Sequence, residues 1–327
     1  MNSPEFLSLL AEIYGDEPWP RPLHLLHARK LVDEGMSVSE AAARVRSTVR
    51  RVQAVVQAPD PVVHVLGGSP TEIERVSRER AFRQLGQLLL GRAAETAFED
   101  IYRTEMHTAE MELRDLRESR SDTDYRLYNG SGRPIYRLNI KFHGALFKNA
   151  KSVVGLDPED CFALATYKIQ GALKKQEEEH LPYIFVVVGQ RSLSGEGVGK
   201  QIPSRLIDAA AFYYQAPQAQ SKRDLEDRLV EVLVRTEDPV FVQTRKLIQD
   251  ADWYVISARR ADMLVRKYLY ERVFALRVRN FTRTYPGAEV DMHFSLSQDL
   301  TPLREFLRTL RESGHPVVVS KLERGDY

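Results

Sequence analysis

From residue 134 to 142 apolar and polar side chains alternate, with Leu138, Ile140 and Phe142 set between Arg137, Asn139 and Lys141. A period of two is that of a strand with one apolar and one polar face. A run rich in Tyr and Leu precedes it, and Asn129-Gly130-Ser131-Gly132 between the two tolerates the positive φ of a tight reversal. Residues 121–142 are therefore predicted to form a β-hairpin. With that loop, Tyr128 faces Arg133, Asp124 faces Arg137 and Asp122 faces Asn139. Asp124, Asn139 and Lys141 then share one face. A loop one residue longer would turn one strand over and disperse them.

Elsewhere the pattern predicts mostly helix. Residues 1–59 read as helical, with a terminator at Gly35 and a capping box in Ser37-Val38-Ser39-Glu40. The prolines at 59 and 61 mark a linker, followed by a short strand at 62–66. Residues 79–102 carry a helical stripe of Leu85, Leu88, Leu89, Phe98 and Ile101, and Glu95 falls towards that stripe. A carboxylate there needs a cation, either a metal or Arg92 or Arg103. Glu99, one turn on, is the reserve. Residues 105–120 mix acids and arginines at helical spacing, a solvated helix face. Asp157-Pro158 starts a predicted helix to Lys175, with Tyr167 and Gln170 among its polar residues. Residues 182–189 form a buried strand. The glycine-rich run 194–201 lacks the phosphate-loop spacing and reads as a mobile surface loop that could touch a substrate backbone. Residues 215–221 are a polar linker, and 224–234 a helix.

Composition narrows the class. The 327 residues are 43% hydrophobic and 28% charged, as in an ordinary globular protein of more than one domain. There is no apolar run of membrane-spanning length and no signal-peptide pattern. The single cysteine, Cys161, excludes a disulfide framework and a cysteine zinc cluster, and it suits a reducing cytoplasm. The net charge of +1 means that a nucleic acid must be met by local patches. Candidates are Arg46, Arg50 and Arg51; His143, Lys148 and Lys151 after the hairpin; and Arg259, Arg260, Arg266 and Lys267 in a basic stretch interleaved with aromatics.

Two resemblances sharpen these expectations. Residues 40–56, EAAARVRSTVRRVQAVV, resemble the helix-turn-helix of site-specific recombinases and many repressors, with the recognition helix opening at Ser47-Thr48-Val49. The spacing between the Ala-rich helix and Ser47 is shorter than in that family. A single amphipathic helix over 39–57 is therefore the other reading.

An acid on the first strand and x-x-K on the second resemble the active site of the PD-(D/E)xK nuclease superfamily. A helix with Glu95 precedes this hairpin, and a helix and a buried strand follow it, which is that family's order. The resemblance covers residues 79–190. It implies an α/β fold with a restriction-endonuclease-like αβββαβ core and a mixed central sheet. A helical N-terminal segment (1–60) would precede a core at 61–200. An α+β C-terminal region (201–327) would follow, with a nucleic-acid-binding or dimerisation role open to it. It also implies a Mg²⁺ (or Mn²⁺) ion on Asp124, Glu95, the main-chain carbonyl of Ile140 and, weakly, Asn139, with Lys141 orienting water. Asn139 stands where the family has a second carboxylate, and Asp122 shares the strand parity of Asp124. The expected activity is DNA endonuclease, of restriction, defence or repair type, acting as a homodimer. The alternative is a nucleic-acid-binding relative without cleavage.

Overall fold

A computed structural model describes residues 1–107, 110–117, 123–142, 146–189, 193–219, 222–273, 281–283 and 290–313. Capping chemistry sets the first helices. Asn2 and Glu5 form a capping box at α1 (Ser3–Tyr14), which α2 (His24–Asp33) follows. Ser37 and Glu40 repeat the box at α3 (Val38–Arg44), and Thr48 caps α4 (Val49–Gln57). Each such cap contributes about 1 kcal/mol. Residues 62–66, expected as a strand, are instead α5 (Pro61–Leu66). Asp60 accepts from the amides of Val62 and Val63, Pro61 starts the helix and Gly67 ends it at φ +77°. Both ends are fixed locally, and that outweighs the β preference of the valines.

The long helix α6 (Arg75–Glu105) leads to β1 (Met111–Asp115), β2 (Tyr125–Asn129) and β3 (Pro134–Phe142). Residues 111–115 were expected in a solvated helix. They pair antiparallel with β2, and Glu112 and Arg114 line the exposed side of this edge strand. Next come α7 (Ala150–Val154), a 3₁₀ turn (Pro158–Asp160), β4 (Cys161–Ala165), α8 (Thr166–Glu179) and β5 (Tyr183–Val188). The helix expected from Asp157 to Lys175 therefore begins only at Thr166. The Asp160 carboxylate accepts from the Ser297 amide at 2.8 Å and from the Ser295 hydroxyl, and Cys161–Ala165 pairs with a strand 130 residues away. Long-range pairing has replaced the local helix start.

The remaining elements are α9 (Gly195–Gly199), α10 (Ser204–Gln215), α11 (Lys222–Arg235), α12 (Pro239–Gln249), β6 (Trp253–Ser257) and α13 (Ala258–Val273). β7 (Phe281–Arg283), β8 (Val290–Ser295), α14 (Leu296–Asp299), β9 (Thr301–Pro302) and α15 (Leu303–Ser313) complete the chain.

Two compact units interleave along the sequence, where the sequence reading drew boundaries near 60 and 200. The first comprises Met1–Arg92 and Ser194–Thr244, the second Ala93–Leu193 and Arg245–Tyr327. The first unit is helical. In it Ala28, Ala41, Ala42 and Val52 let α2, α3 and α4 pack closely. The glycine run 194–199 is also structural here. A Cβ at Gly199 would lie 1.9 Å from the Phe82 carbonyl oxygen, and one at Gly86 would lie 1.7 Å from that of Gly195. These glycines permit backbone contact between α9 and α6, which corrects the expectation of a mobile surface loop.

The second unit is α/β. Its six-stranded sheet has the order β1-β2-β3-β5-β6-β9, with β3 and β5 parallel and the other pairs antiparallel. The sheet is thus mixed, as expected. A three-stranded sheet, β4-β8-β7, lies beside it. Every residue of β5 is buried, as a strand covered on both faces requires. One face carries Phe185 and Val187 against α8 and α13. Phe98 of α6 packs on Tyr125 and Trp253, and Phe306 of α15 on Tyr136.

Candidate active site

The predicted hairpin exists, and its loop is Gly130 to Arg133, one residue beyond the expected Asn129 to Gly132. Gly132 adopts φ +74°, and Asn129 Oδ1 accepts from the Arg133 amide at 2.9 Å and the Ser131 hydroxyl at 2.8 Å. The register differs from the expected one. Tyr128 faces Pro134 rather than Arg133, and after an irregularity that leaves Ile135 unpaired, Arg126 faces Arg137 and Tyr125 faces Leu138. Counted to Asp124, the slip is two residues. An even slip preserves side-chain parity, so Asp124 still meets Asn139 on the face that carries Lys141.

Contacts follow from that parity. Asp124 Oδ2 accepts from Asn139 Nδ2 at 3.0 Å and from the Ile140 amide at 2.6 Å. Lys141 Nζ donates to the Ile140 carbonyl at 3.3 Å. Burial raises the pKa of Asp124 above the usual carboxylate range, although Lys141 and the Ile140 amide pull it down. Burial likewise lowers the pKa of Lys141, against the pull of Asp124. Glu95 is close enough to act on both, raising Asp124 and supporting the charge on Lys141. The helix acid and the two strand residues therefore share one electrostatic neighbourhood. Such opposed, burial-driven shifts mark functional sites more often than ordinary surface pairs.

Arg117 was not foreseen. Its Nη1 donates to Glu95 Oε2 at 2.9 Å and its Nη2 to Glu99 Oε1 at 2.8 Å, and the guanidinium also pairs with Asp115. It lies over the Tyr125 ring, 5.2 Å from the centroid, and the Tyr125 hydroxyl donates to Glu99 at 2.6 Å. Its partners raise its pKa far above the ordinary arginine value, although burial opposes them. Of the two arginines suggested by sequence, Arg92 pairs with Glu231 and Arg103 with Asp100. The missed signal was the strand alternation of Met111 to Asp115, which delivers Arg117 back towards α6. Lys168, at the exposed start of α8, was also missed; its charge further lowers the pKa of Lys141.

The donor chemistry suits a hard divalent cation: the Asp124 carboxylate, the adjacent Ile140 carbonyl and Glu95 are all oxygen ligands. The raised pKa of Asp124 is what a second positive charge there would relieve. Among the described residues, however, no group of three or more His, Cys, Asp or Glu side chains is poised to hold a metal. Asn139 contributes an amide donor to Asp124 instead of a charge, and Arg117 pairs with both Glu95 and Glu99.

The remaining candidates are dispersed. Asp122 and His143 lie outside the described residues. Lys148 is exposed, and Lys151 pairs with Asp157 at 3.0 Å. Gln170 bonds Asp262 at 2.6 Å, and Tyr167 is exposed. In α13, Arg266 is bound to Asp262, Arg259 and Lys267 are exposed, and Arg260 is half-buried. Tyr268 is core and bonds Asp299, while Tyr270 is exposed. Arg46, Arg50 and Arg51 are all exposed at α4 and the turn before it. No helix among the described residues is long and apolar enough to cross a membrane. Comparison of the chain with known protein families, curated proteins and solved structures returns no match.

Proposed function

We propose that this chain is a metal-dependent endonuclease that hydrolyses DNA phosphodiester bonds. The observation that carries the reading is the meeting of Asp124 and Lys141 on one face of the β2–β3 hairpin, with Glu95 of α6 in electrostatic reach. With α7 and β4 inserted between β3 and α8, β4 belonging to the three-stranded sheet, the order α6, β1, β2, β3, α8, β5 supports a restriction-endonuclease-like αβββαβ core around it. Asp124, the Ile140 carbonyl and Glu95 would hold Mg²⁺ or Mn²⁺, and Asn139 would anchor a coordinated water. When bound, such an ion neutralises phosphate charge and acidifies water.

The chain's own part is positional. Asp124 is held by the Ile140 amide and by Asn139, so its free oxygen is aimed without reorganisation. Lys141 presents a partly buried ammonium to charge that grows on the phosphate as water adds to phosphorus and the bond to one sugar oxygen breaks. The attacking water gives up a proton, and the leaving oxygen takes one up. Cutting both strands of a duplex calls for two such sites, hence a homodimer.

A second reading rests on Arg117 and Asn139. With Arg117 paired to Glu95 and Glu99, and an amide beside Asp124, the same site could be a nucleic-acid-binding surface without cleavage. Supercoiled plasmid incubated with Mn²⁺ separates the two. Nicking or linearisation that Lys141→Ala abolishes supports the nuclease. Salt-sensitive binding with intact plasmid supports the second reading.

A further inference from the structure

Helices α2, α3 and α4 form a small bundle of their own within the first unit. α3 stops at Arg44, where the Val45 amide closes on the Ala41 and Ala43 carbonyls. The Ser47 amide then bonds the Ala42 carbonyl at 2.9 Å, and Arg46 turns the chain at φ +53°. Thr48 accepts from the Arg51 amide at 3.3 Å and starts α4 afresh. The continuous helix over 39–57 is thereby excluded, and two short helices are joined by a four-residue turn, Val45 to Thr48. Val52 and Val55 of α4 are buried. Val49, Arg50, Arg51, Gln53 and Ala54 face solvent, with Val49 47% exposed.

The outward face has a defined chemistry. Between Ala41 and Ala58 the chain holds Arg44, Arg46, Arg50 and Arg51 and no acid, although the whole protein carries only +1. A solvated face would be expected to mix signs, as α6 does. Arginine and glutamine are the side chains that read guanine and adenine edges in the major groove, and small apolar groups meet the thymine methyl. A nine-residue helix presented after a short turn fits that groove in width.

We infer that α2–α4 is a double-stranded DNA reader. In it α4 enters the major groove, Arg50, Gln53 and Val49 contact base edges, and Arg44, Arg46 and Arg51 hold phosphates. This stands on the first unit alone and does not require the nuclease site. If that site is active, the reader makes its substrate a duplex with a preferred sequence.

The test uses the full chain in EDTA with a pool of random-sequence duplex DNA, selected through rounds of binding and read by sequencing and fluorescence anisotropy. A recurrent motif should emerge. Arg50→Ala should bind the selected duplex about tenfold more weakly and relax preference at one position. Arg44→Ala should weaken selected and random duplexes alike and lower the salt slope by about one. Both residues are exposed, so circular dichroism should show an unchanged fold. Binding is read in EDTA and cleavage with Mn²⁺, so loss of duplex binding in the arginine variants and loss of plasmid cleavage are separate outcomes that distinguish this inference from the nuclease reading. Absence of duplex binding, single-stranded RNA competing equally with the duplex, or unchanged affinity and salt slope in an Arg50→Ala/Arg51→Ala variant would each overturn it.

Discussion

Arg117 Nη1 lies 2.9 Å from Glu95 Oε2, so the helix acid that the sequence offers to a metal already holds a cation of the chain's own. Both side chains are about one-fifth exposed, which places the pair beyond the weak regime of surface ion pairs. A divalent ion using Glu95 must compete with this guanidinium. Replacing it with Arg117→Ala should therefore raise Mn²⁺ affinity, by roughly tenfold, in titration calorimetry. The same change should cost about 1–3 kcal/mol of stability without metal, because Glu95 and Glu99 lose a charged donor. An unaltered Mn²⁺ affinity would mean that Glu95 is not a ligand.

Asn139 gives the complementary test. Asn139→Asp removes the donor to Asp124 and sets a second carboxylate beside an acid that burial already disfavours in its charged form. Without metal the variant should melt at a lower temperature than the wild type, and Mn²⁺ should raise its melting temperature more. Equal metal-induced shifts in the two proteins would remove Asn139 from the site.

Glycines at 86 and 199 invert a familiar rule. Alanine in place of glycine within a helix normally stabilises by about 1 kcal/mol. At Gly86 a methyl would meet the Gly195 carbonyl, and at Gly199 that of Phe82. Each alanine variant should instead lose about 1–3 kcal/mol in urea denaturation. Stabilisation by either would refute the close α6–α9 contact.

His293 supplies a pH dependence. Its ring is buried between Cys161 Sγ at 3.4 Å and Thr282 Oγ1 at 2.8 Å, and burial lowers its pKa below the ordinary 6.5. On acidification the unfolded chain takes up this proton before the folded one does. Stability should therefore be full above about pH 6.5 and fall as pH drops through the lowered folded value. Thermal melts should show that loss, and His293→Gln should flatten it. An equal acid loss in the variant would assign it to other groups.

The hairpin was legible because Asn129 to Gly132 and the alternation from Arg137 to Phe142 are local signals. Its register was not, since nothing in the letters marks Ile135 as the residue the ladder skips. The face survived only because the slip was even. Asp124, Asn139 and Lys141 could thus be grouped from sequence, whereas Arg117 could not, because its role depends on β1 pairing with β2. The strand Cys161–Ala165 was hidden for the same reason: its partner lies at Val290–Ser295. Conversely, Val62 to Leu66 looked like a strand by composition, yet Asp60 and Gly67 are cap residues that a reading by caps would have found.

The nuclease reading requires Asp124, the Ile140 carbonyl and Glu95 to hold a single cation beside Lys141. Crystals soaked in Mn²⁺ and measured for anomalous scattering test this most directly. The expected result is one peak within bonding distance of Asp124 and the Ile140 carbonyl, with Arg117 drawn away from Glu95. A fully occupied soak with no peak at Asp124, and Arg117 still on Glu95, would contradict the metal-dependent nuclease.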